Sequence, residues 1–346
     1  MKIFAQYRQP FSKVYTRIEQ NEGLPLEFHS CKELNGKSGF VVAPFSVGEN
    51  QPILLILPDK METFNVEPSS YVAPDIIREE LQRDAYIADF ARFHGQLESD
   101  IFRKIVLSRC ASFQMSGEVD VQQLFLLACQ LYPRLFISLI SLPDGTYWMM
   151  ATPEILLEGI GKQWRTIALA GTMQLQGDEL QSEGEYVRWS TKNIQEQRYV
   201  ATYIAECLEK FSLDFTEEGP RTVRAANLVH LRSDFTFSLD TNDRVGDLLD
   251  VLHPTPAVCG LPKHSTFQFI LNNEHTPRMY YSGFMGPLSL KGDTHLYVSL
   301  RCMQVQQNYC RLYAGGGLLK DSQLDSEWSE TEAKMQTMRN LINPQF

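Results

Sequence analysis

A few acids, one lysine and a run of glycines carry the chemistry this sequence could do. In the stretch AGGGLLKDSQLDSEWSETEAK (314–334), three glycines lead into a helical pattern that bears Glu327, Glu330 and Lys334. Spaced i, i+3, i+7, these side chains form one row beside an apolar stripe of Leu324, Trp328, Thr331, Met335, Met338 and Ile342. Glycines ahead of a helix can cradle a phosphate, but no Gly-Lys-Ser/Thr follows and acids open the helix. A second helical pattern, from near Glu185 to about Phe211, has Asn193 and Glu196 on the stripe that Trp189, Val200, Ile204 and Cys207 mark as core-facing. A carboxylate there is costly unless paired or bound to metal. Each feature alone has a plain alternative: a buried salt bridge for Glu196, and for the row a solvated Glu–Lys pair worth about 0.3–0.5 kcal/mol. Together, two carboxylates from separate helices, without a cysteine pair, suit a hard cation. Mg2+ takes oxygen ligands, often only one or two from protein, and leaves its other positions to water or substrate. The glycines at 315–317 would let backbone N–H groups approach a carboxylate-bearing ligand.

Two further residues could move protons. In FRKIVLSR, strand alternation puts Lys104 on the face of Phe102 and Val106, where lost hydration favours the neutral amine and hence a general base. The alternative is a lysine that snorkels from a sheet edge. In ATPEILLEG, Glu154 follows a Thr-Pro kink and precedes an apolar run, so its carboxyl could stay protonated and act as a general acid. A turn residue in solvent would look the same.

The elements that must position these groups read as α+β, with large, mostly antiparallel sheets flanked by segregated helices. The first 95 residues mix strand-like pieces (GFVVAPF, PILLILP) with turns, then run into a helical pattern at DIIREELQRDAYIADFARFHG closed by Gly95. A strand FRKIVLSR follows, then a hairpin LFISLISL–PDG–TYWMMAT. HPTPAVCGLPK reads as a loop, and YYSGFMGPLSL, THLYVSLRCMQVQ and YCRLYAGGG as strands before the last helix. No linker divides the chain. The expected organisation is a strand-rich portion, 1–95, of the same domain as a catalytic portion, 96–346.

Composition narrows the function classes. The 346 residues are 43% hydrophobic and 21% charged, with a net charge of −10. That suits an ordinary soluble globular protein and disfavours nucleic acid as a partner, because phosphate neutralisation dominates such binding. No apolar run is long enough for a bilayer, and no secretory leader is visible. Seven scattered cysteines without CxxC point to a reducing cytoplasm.

The sequence resembles the chorismate-utilising enzymes: isochorismate, salicylate, anthranilate and aminodeoxychorismate synthases. The matching segments are KIVLSR (104–109), TPEILLEG (152–159), LAGT (169–172), STKNIQEQRYV (190–200) and HPTPAVCGLPK (253–263). PRMYYSG (277–283), LRCMQV (300–305), YAGGG (313–317) and EWSETEAK (327–334) complete the set. They keep the family's order over roughly 95–340, and the resemblance implies the aminodeoxychorismate synthase-like fold. Among the branches it points to isochorismate synthase. Lys104 heads KIVLSR where anthranilate synthases have glutamine, and Ala170 stands where aminodeoxychorismate synthases carry a nucleophilic lysine. No tryptophan-binding LLES segment and no glutaminase domain is seen.

Carried over motif by motif, the resemblance implies that Lys104 activates water for attack at C2 of chorismate and Glu154 protonates the departing C4 hydroxyl. Glu196 and Glu330 would bind Mg2+, with Glu327 in support. Tyr281, Arg301, Gly315 and Lys334 would hold the carboxylates and enolpyruvyl arm. Gly171 and Thr172 would sit near the leaving hydroxyl, with His253 a lesser pocket member. Two departures bear on the metal: Gln197 follows Glu196 where the family often has histidine, and Asn193 stands where it often has an acid. The expected protein is a monomer without a glutaminase subunit, acting in menaquinone biosynthesis, with a siderophore pathway as the competing destination. Salicylate synthase is the nearest rival function. A non-catalytic chorismate-binding protein is a more distant one, since a pure binder needs no acid–base pair.

Overall fold

The computed structural model describes residues 3–49, 51–175, 187–211, 214–225 and 228–343. Two large sheets face each other, and among the described residues every strand pairing is antiparallel. From the N-terminal segment, β1 (Ile3–Arg8), β2 (Val14–Gln20) and β6 (Lys60–Asn65) belong to the first sheet. The short strands β3 (Leu26–Phe28), β4 (Gly39–Ala43) and β5 (Ile53–Ile56) belong to the second. The first sheet continues through β7 (Ile76–Glu80), β8 (Lys104–Met115), β9 (Phe136–Ser141) and β10 (Tyr147–Thr152). The second takes β11 (Ile155–Ile160), β12 (Gln163–Gln174), β13 (Phe215–Ala225) and β14 (Leu228–Ser238). Of the remaining strands, β15 (Gly260–Leu261), β18 (Cys302–Gln306) and β19 (Tyr309–Leu318) join the first sheet, and β16 (Phe284–Leu288) and β17 (Asp293–Val298) the second.

The order across the first sheet is β15-β8-β19-β18-β10-β9-β1-β2-β6, with β7 also on β8; across the second it is β13-β14-β12-β11-β17-β16-β4-β5-β3. Apolar side chains of both inner faces meet between them, among them Phe136, Trp148 and Met150 from one and Phe40, Ile167 and Tyr297 from the other. Helix α2 (Val121–Leu131) and helix α6 (Leu324–Ile342) cover the outer face of the first sheet. Helix α3 (Thr191–Glu209) and helix α4 (Val245–Leu252) cover that of the second. Helix α1 (Arg83–Glu98) and helix α5 (Lys263–Asn273) pack with Trp328 of α6 around a separate cluster. The layers are therefore helix, sheet, sheet, helix, the α+β class read from the sequence.

Several local expectations change. The helix expected across 75–95 is a strand followed by a helix: Ile76–Glu80 pairs with the end of β8, and α1 begins only at Arg83. Gly95 lies inside α1, which ends when Ser99 N–H reaches back to the Gly95 carbonyl. Glu185, the expected start of the long helix, falls outside the described residues; α3 starts at Thr191, where Ser190 Oγ accepts from Asn193 N–H at 3.2 Å. Trp189 therefore precedes the helix, and its indole N–H donates to Thr222 Oγ1 at 2.9 Å. The glycines 315–317 are not a loop before a helix. They lie within β19, paired to Val106, Leu107 and Ser108 of β8. Among the described residues, no helix is long and apolar enough to cross a membrane.

Candidate active site

The chain crosses from one sheet to the other at two adjacent points. Thr152-Pro153-Glu154 joins β10 to β11, and Ser299-Leu300-Arg301 joins β17 to β18. Val298 N–H donates to the Glu154 carbonyl at 2.9 Å and ties the crossings together. A cleft opens beside them between the sheets. Glu154, Gly171, Thr172, Glu196, Tyr281, Arg301, Gly315 and Lys334 all line it, so most of the residues singled out in the sequence converge. Val106 of β8, Ala257 and Val258 of the following loop, and Tyr313 complete the apolar wall.

Glu154 is 3% exposed. Burial pushes its carboxyl up to about 8, against the pull of the Lys104, Lys334 and Arg301 charges. It is thus held protonated at neutral pH, the state a proton donor needs, and the solvated-turn alternative is excluded. Arg301, with a left-handed φ of 47°, is buried and has no carboxylate partner among the described residues. Burial lowers its pKa to about 10, still far above neutrality, so an unpaired cation faces the cleft.

The contact of Arg301 is a residue the sequence reading passed over. His230 on β14 lies with Nε2 2.6 Å from Arg301 Nη2, and with Nδ1 3.1 Å from the Gly171 carbonyl and 3.3 Å from Thr172 Oγ1. An arginine can only donate, so Nε2 accepts and the Nδ1–H donates to Gly171. Burial, with Arg301 and Lys334 nearby, keeps the imidazole pKa well below its ordinary value, consistent with a neutral ring. The available signal was a lone histidine in an apolar strand, NLVHL.

Lys104 lies behind the lining, fully buried. Its Nζ is 3.0 Å from Glu196 Oε1 and donates to the Pro256 carbonyl at 2.6 Å. It is no snorkelling edge residue. Glu196 projects from α3; burial works against its charge, but the ammonium groups of Lys104, Lys192 and Lys334 prevail and hold the carboxyl below its usual value. On α6, Glu330 pairs with Lys334 at 2.7 Å, and Lys334 also donates to the Gly315 carbonyl at 3.0 Å. Glu327 is buried, not solvated; it pairs with Lys192 of α3, and burial together with Glu330 pushes its carboxyl up. His253 is not brought to the cleft: its Nε2 faces the Pro44 carbonyl at 3.3 Å, its ring packs on Phe284, and burial with Lys263 nearby lowers its pKa to about 3.

Glycine at 316 and 317 is what admits the acids. A Cβ on Gly316 would stand 3.3 Å from Glu327 Oε2 and 3.8 Å from Glu330 Oε1; one on Gly317 would overlap Glu196 Oε1 and lie 2.8 Å from Lys104 Cε. Glu327 and Glu330 of α6 thus pack against Gly316, and Glu196 of α3 against the next residue of the same strand. Their all-oxygen character fits a hard divalent ion, and Glu327 Oε2 is buried with no hydrogen-bond donor among the described residues. Among the described residues they are not drawn together as a ready-made metal cluster, since each is tied to a lysine. Asn193 packs over Gly171, and Gln197 Nε2 donates to the Ala168 carbonyl at 3.1 Å, so both departures from the family pattern serve helix–sheet packing.

The model for the family described as "Chorismate binding enzyme" matches residues 55–343. Isochorismate synthase EntC of Escherichia coli K12 is 26% identical over 331 residues, covering 91% of this chain and 84% of that protein. The structure of MenF, the menaquinone-specific isochorismate synthase of E. coli, superposes with a TM-score of 0.85 at 23% identity, over 99% of this chain and 89% of that one. Anthranilate synthase component I of Streptococcus pneumoniae TIGR4 gives 0.75 at 15% identity, over 98% and 90%. These structural likenesses establish a shared fold.

Proposed function

Since the chain belongs to the chorismate binding enzyme family, we propose that it is an isochorismate synthase, an isomerase that moves the ring hydroxyl of chorismate from C4 to C2. The observation that carries this reading is Glu154: a carboxyl held protonated on the wall of a cleft whose Arg301 lacks a carboxylate partner among the described residues. A proton donor and an unpaired buried cation suit an anionic substrate that must lose hydroxide.

Arg301 and Lys334 bind the substrate carboxylates, and Tyr281, Gly315, Gly171 and Thr172 shape the space around the ring. Lys104 lies just behind the lining at Gly317; once its ammonium has given up a proton to solvent, the neutral amine takes a proton from water as that water forms its bond to C2. The ring π electrons shift, the C4–O bond breaks, and Glu154 gives its proton to the departing hydroxyl, which leaves as water. Glu196 and Glu330, supported by Glu327, would hold Mg2+, which supplies positive charge to the ring carboxylate. His253 has no part in this chemistry. Lys104 at the head of KIVLSR and Ala170 before Gly171 favour water as nucleophile. In this reading 1–95 and 96–346 form one catalytic domain that acts as a cytoplasmic monomer without a glutaminase subunit. Its product feeds menaquinone synthesis; complementation of strains that lack a menaquinone-specific or a siderophore-specific synthase separates the two destinations.

The test is incubation of the protein with chorismate and Mg2+. Isochorismate should accumulate, and chelation should stop it. Salicylate fluorescence without an added lyase would replace the isomerase by a salicylate synthase. Lys104→Ala and Glu154→Ala should abolish turnover while largely sparing chorismate binding, and turnover surviving in both variants refutes the assigned roles.

A further inference from the structure

Strand β8 carries Lys104 at its first residue, yet the middle of its outer edge, 106–111, is covered by no strand among the described residues. Pairing to β15 covers only Lys104 and Ile105, and β7 begins its pairing at Ser112. Between these the outward backbone groups need other partners. Two buried side chains supply them. Glu274 Oε1 accepts from Ser108 N–H at 2.7 Å, and Arg278 Nη2 donates to the Val106 carbonyl at 2.9 Å. The two are joined to each other, Arg278 Nε to Glu274 Oε2 at 2.6 Å and Nη2 to Oε1 at 2.7 Å. Arg278 Nη1 also donates to the Val258 carbonyl at 2.6 Å, and its guanidinium lies 4.3 Å from the centroid of Phe45. An ion pair thus stands in for a strand on β8 and clamps the 256–259 segment against it.

That segment holds the candidate base. Lys104 Nζ donates to the Pro256 carbonyl, two residues before Val258, and Val106 N–H donates to the Cys259 carbonyl at 2.6 Å. Val106, Ala257 and Val258 also line the cleft. We propose that the Glu274–Arg278 pair is a positioning device that fixes the Lys104 amine relative to the substrate ring by locking the 256–259 segment onto β8. This rests on the reading of Lys104 as the base. The fork geometry matters: one planar group serves two carbonyls and a carboxylate at once, which a lysine cannot do. Neither residue lines the cleft, so their loss should act on turnover and leave substrate affinity in place.

The experiment compares kcat and KM for Arg278→Lys and Glu274→Gln with a control, Arg8→Lys. Arg8 is another buried arginine that donates to backbone carbonyls, those of Pro133 and Tyr132 among them, but it does not line the cleft. Arg278→Lys should lower kcat about 10- to 100-fold, the scale of an ångström-sized misplacement, with KM within about threefold of wild type. Glu274→Gln should lower kcat less, since its amide oxygen can still accept from Ser108. Arg8→Lys should lower Tm but not kcat. If Arg278→Lys does not fold, Glu274→Gln decides by the same ratio of kcat to KM effects. Wild-type kcat in both clamp variants, a loss confined to KM, or an equal kcat loss in Arg8→Lys at matched Tm overturns the proposal. Activity retained in Lys104→Ala shows instead that the base assignment beneath it is wrong.

Discussion

Glu154 and Glu196 are both enclosed by protein, yet they are driven in opposite directions. Glu154 is pushed up to about 8 and Glu196 is pulled below its usual value. Lys104 stands 3.0 Å from Glu196, whereas Glu154 has no ion-pair partner among the described residues; a charge in contact outweighs desolvation and a more distant one does not. This sets two expectations for Glu154. As a proton donor it must be protonated, so kcat should fall about tenfold per pH unit above roughly 8, measured with saturating chorismate and Mg2+. Stability also falls as pH rises, but over a lower window. A carboxyl whose folded-state pKa lies above its unfolded value of 4.5 keeps its proton better when folded. Stability is then intact below that value and erodes as pH rises towards 8. Glu154→Gln, which cannot ionise, should abolish turnover and yet gain a few kcal/mol over wild type near pH 8. Near pH 5 the gain should shrink to about 1 kcal/mol or less. Equal thermal stability of the two proteins at both pH values contradicts a carboxyl held protonated by burial.

The elements explain why residues far apart in sequence meet. The acids of α3 and α6 reach the same strand because β19 presents glycine there: Glu327 and Glu330 meet Gly316 from α6, which packs on β19, and Glu196 meets Gly317 from α3, which packs on the other sheet. Gly317→Ala is therefore a strong test of the element arrangement: its methyl would overlap Glu196 Oε1 and crowd the Lys104 stem. Strain of this kind in a packed interior costs about 1–3 kcal/mol. Turnover should fall by at least about a hundredfold as both side chains shift. A folded Gly317→Ala protein with wild-type activity and Tm places Glu196 and Lys104 elsewhere. The row of Glu327, Glu330 and Lys334 was legible from helical spacing, and so was the inward carboxylate of Glu196. What spacing could not show is the cross-helix partner: Lys192 lies one turn before Glu196, but its charge goes to Glu327 on the other helix. The glycines misled for a related reason. In sequence, glycines before a helix resemble an anion loop; in the fold, their missing side chains make room in a strand. Likewise IIREE continues a helical pattern, but pairing with β8 turns it into an edge strand, a tertiary choice that local periodicity does not encode. His230 was hidden because one histidine between two apolar residues says nothing about what faces it across the cleft.

At the scale of the whole molecule, the α+β class and antiparallel sheets were legible because adjacent strands joined by short turns leave few other topologies. The pairing of distant strands was not. Strands β1 and β9, or β4 and β16, lie far apart in sequence, and nothing local specifies their register. That pairing bears on the first 95 residues, which have no motif of the cleft. Strand β1 is inserted between β9 and β2, and β4 between β16 and β5, so the N-terminal segment extends both sheets and contributes Phe40 and Val42 to the core between them. Removing it would expose the inner edges of both sheets at β9 and β16, along with the apolar faces those strands had covered. A chain beginning at Glu67 should therefore fail to fold cooperatively, although it retains every residue assigned to catalysis. It should show no sigmoidal thermal transition, bind a hydrophobic dye and convert no chorismate. The same segment, supplied as a separate polypeptide during refolding, should restore part of the activity if it acts only by completing the sheets. A truncated protein that melts cooperatively and turns over chorismate shows that the cleft is built by the later residues alone.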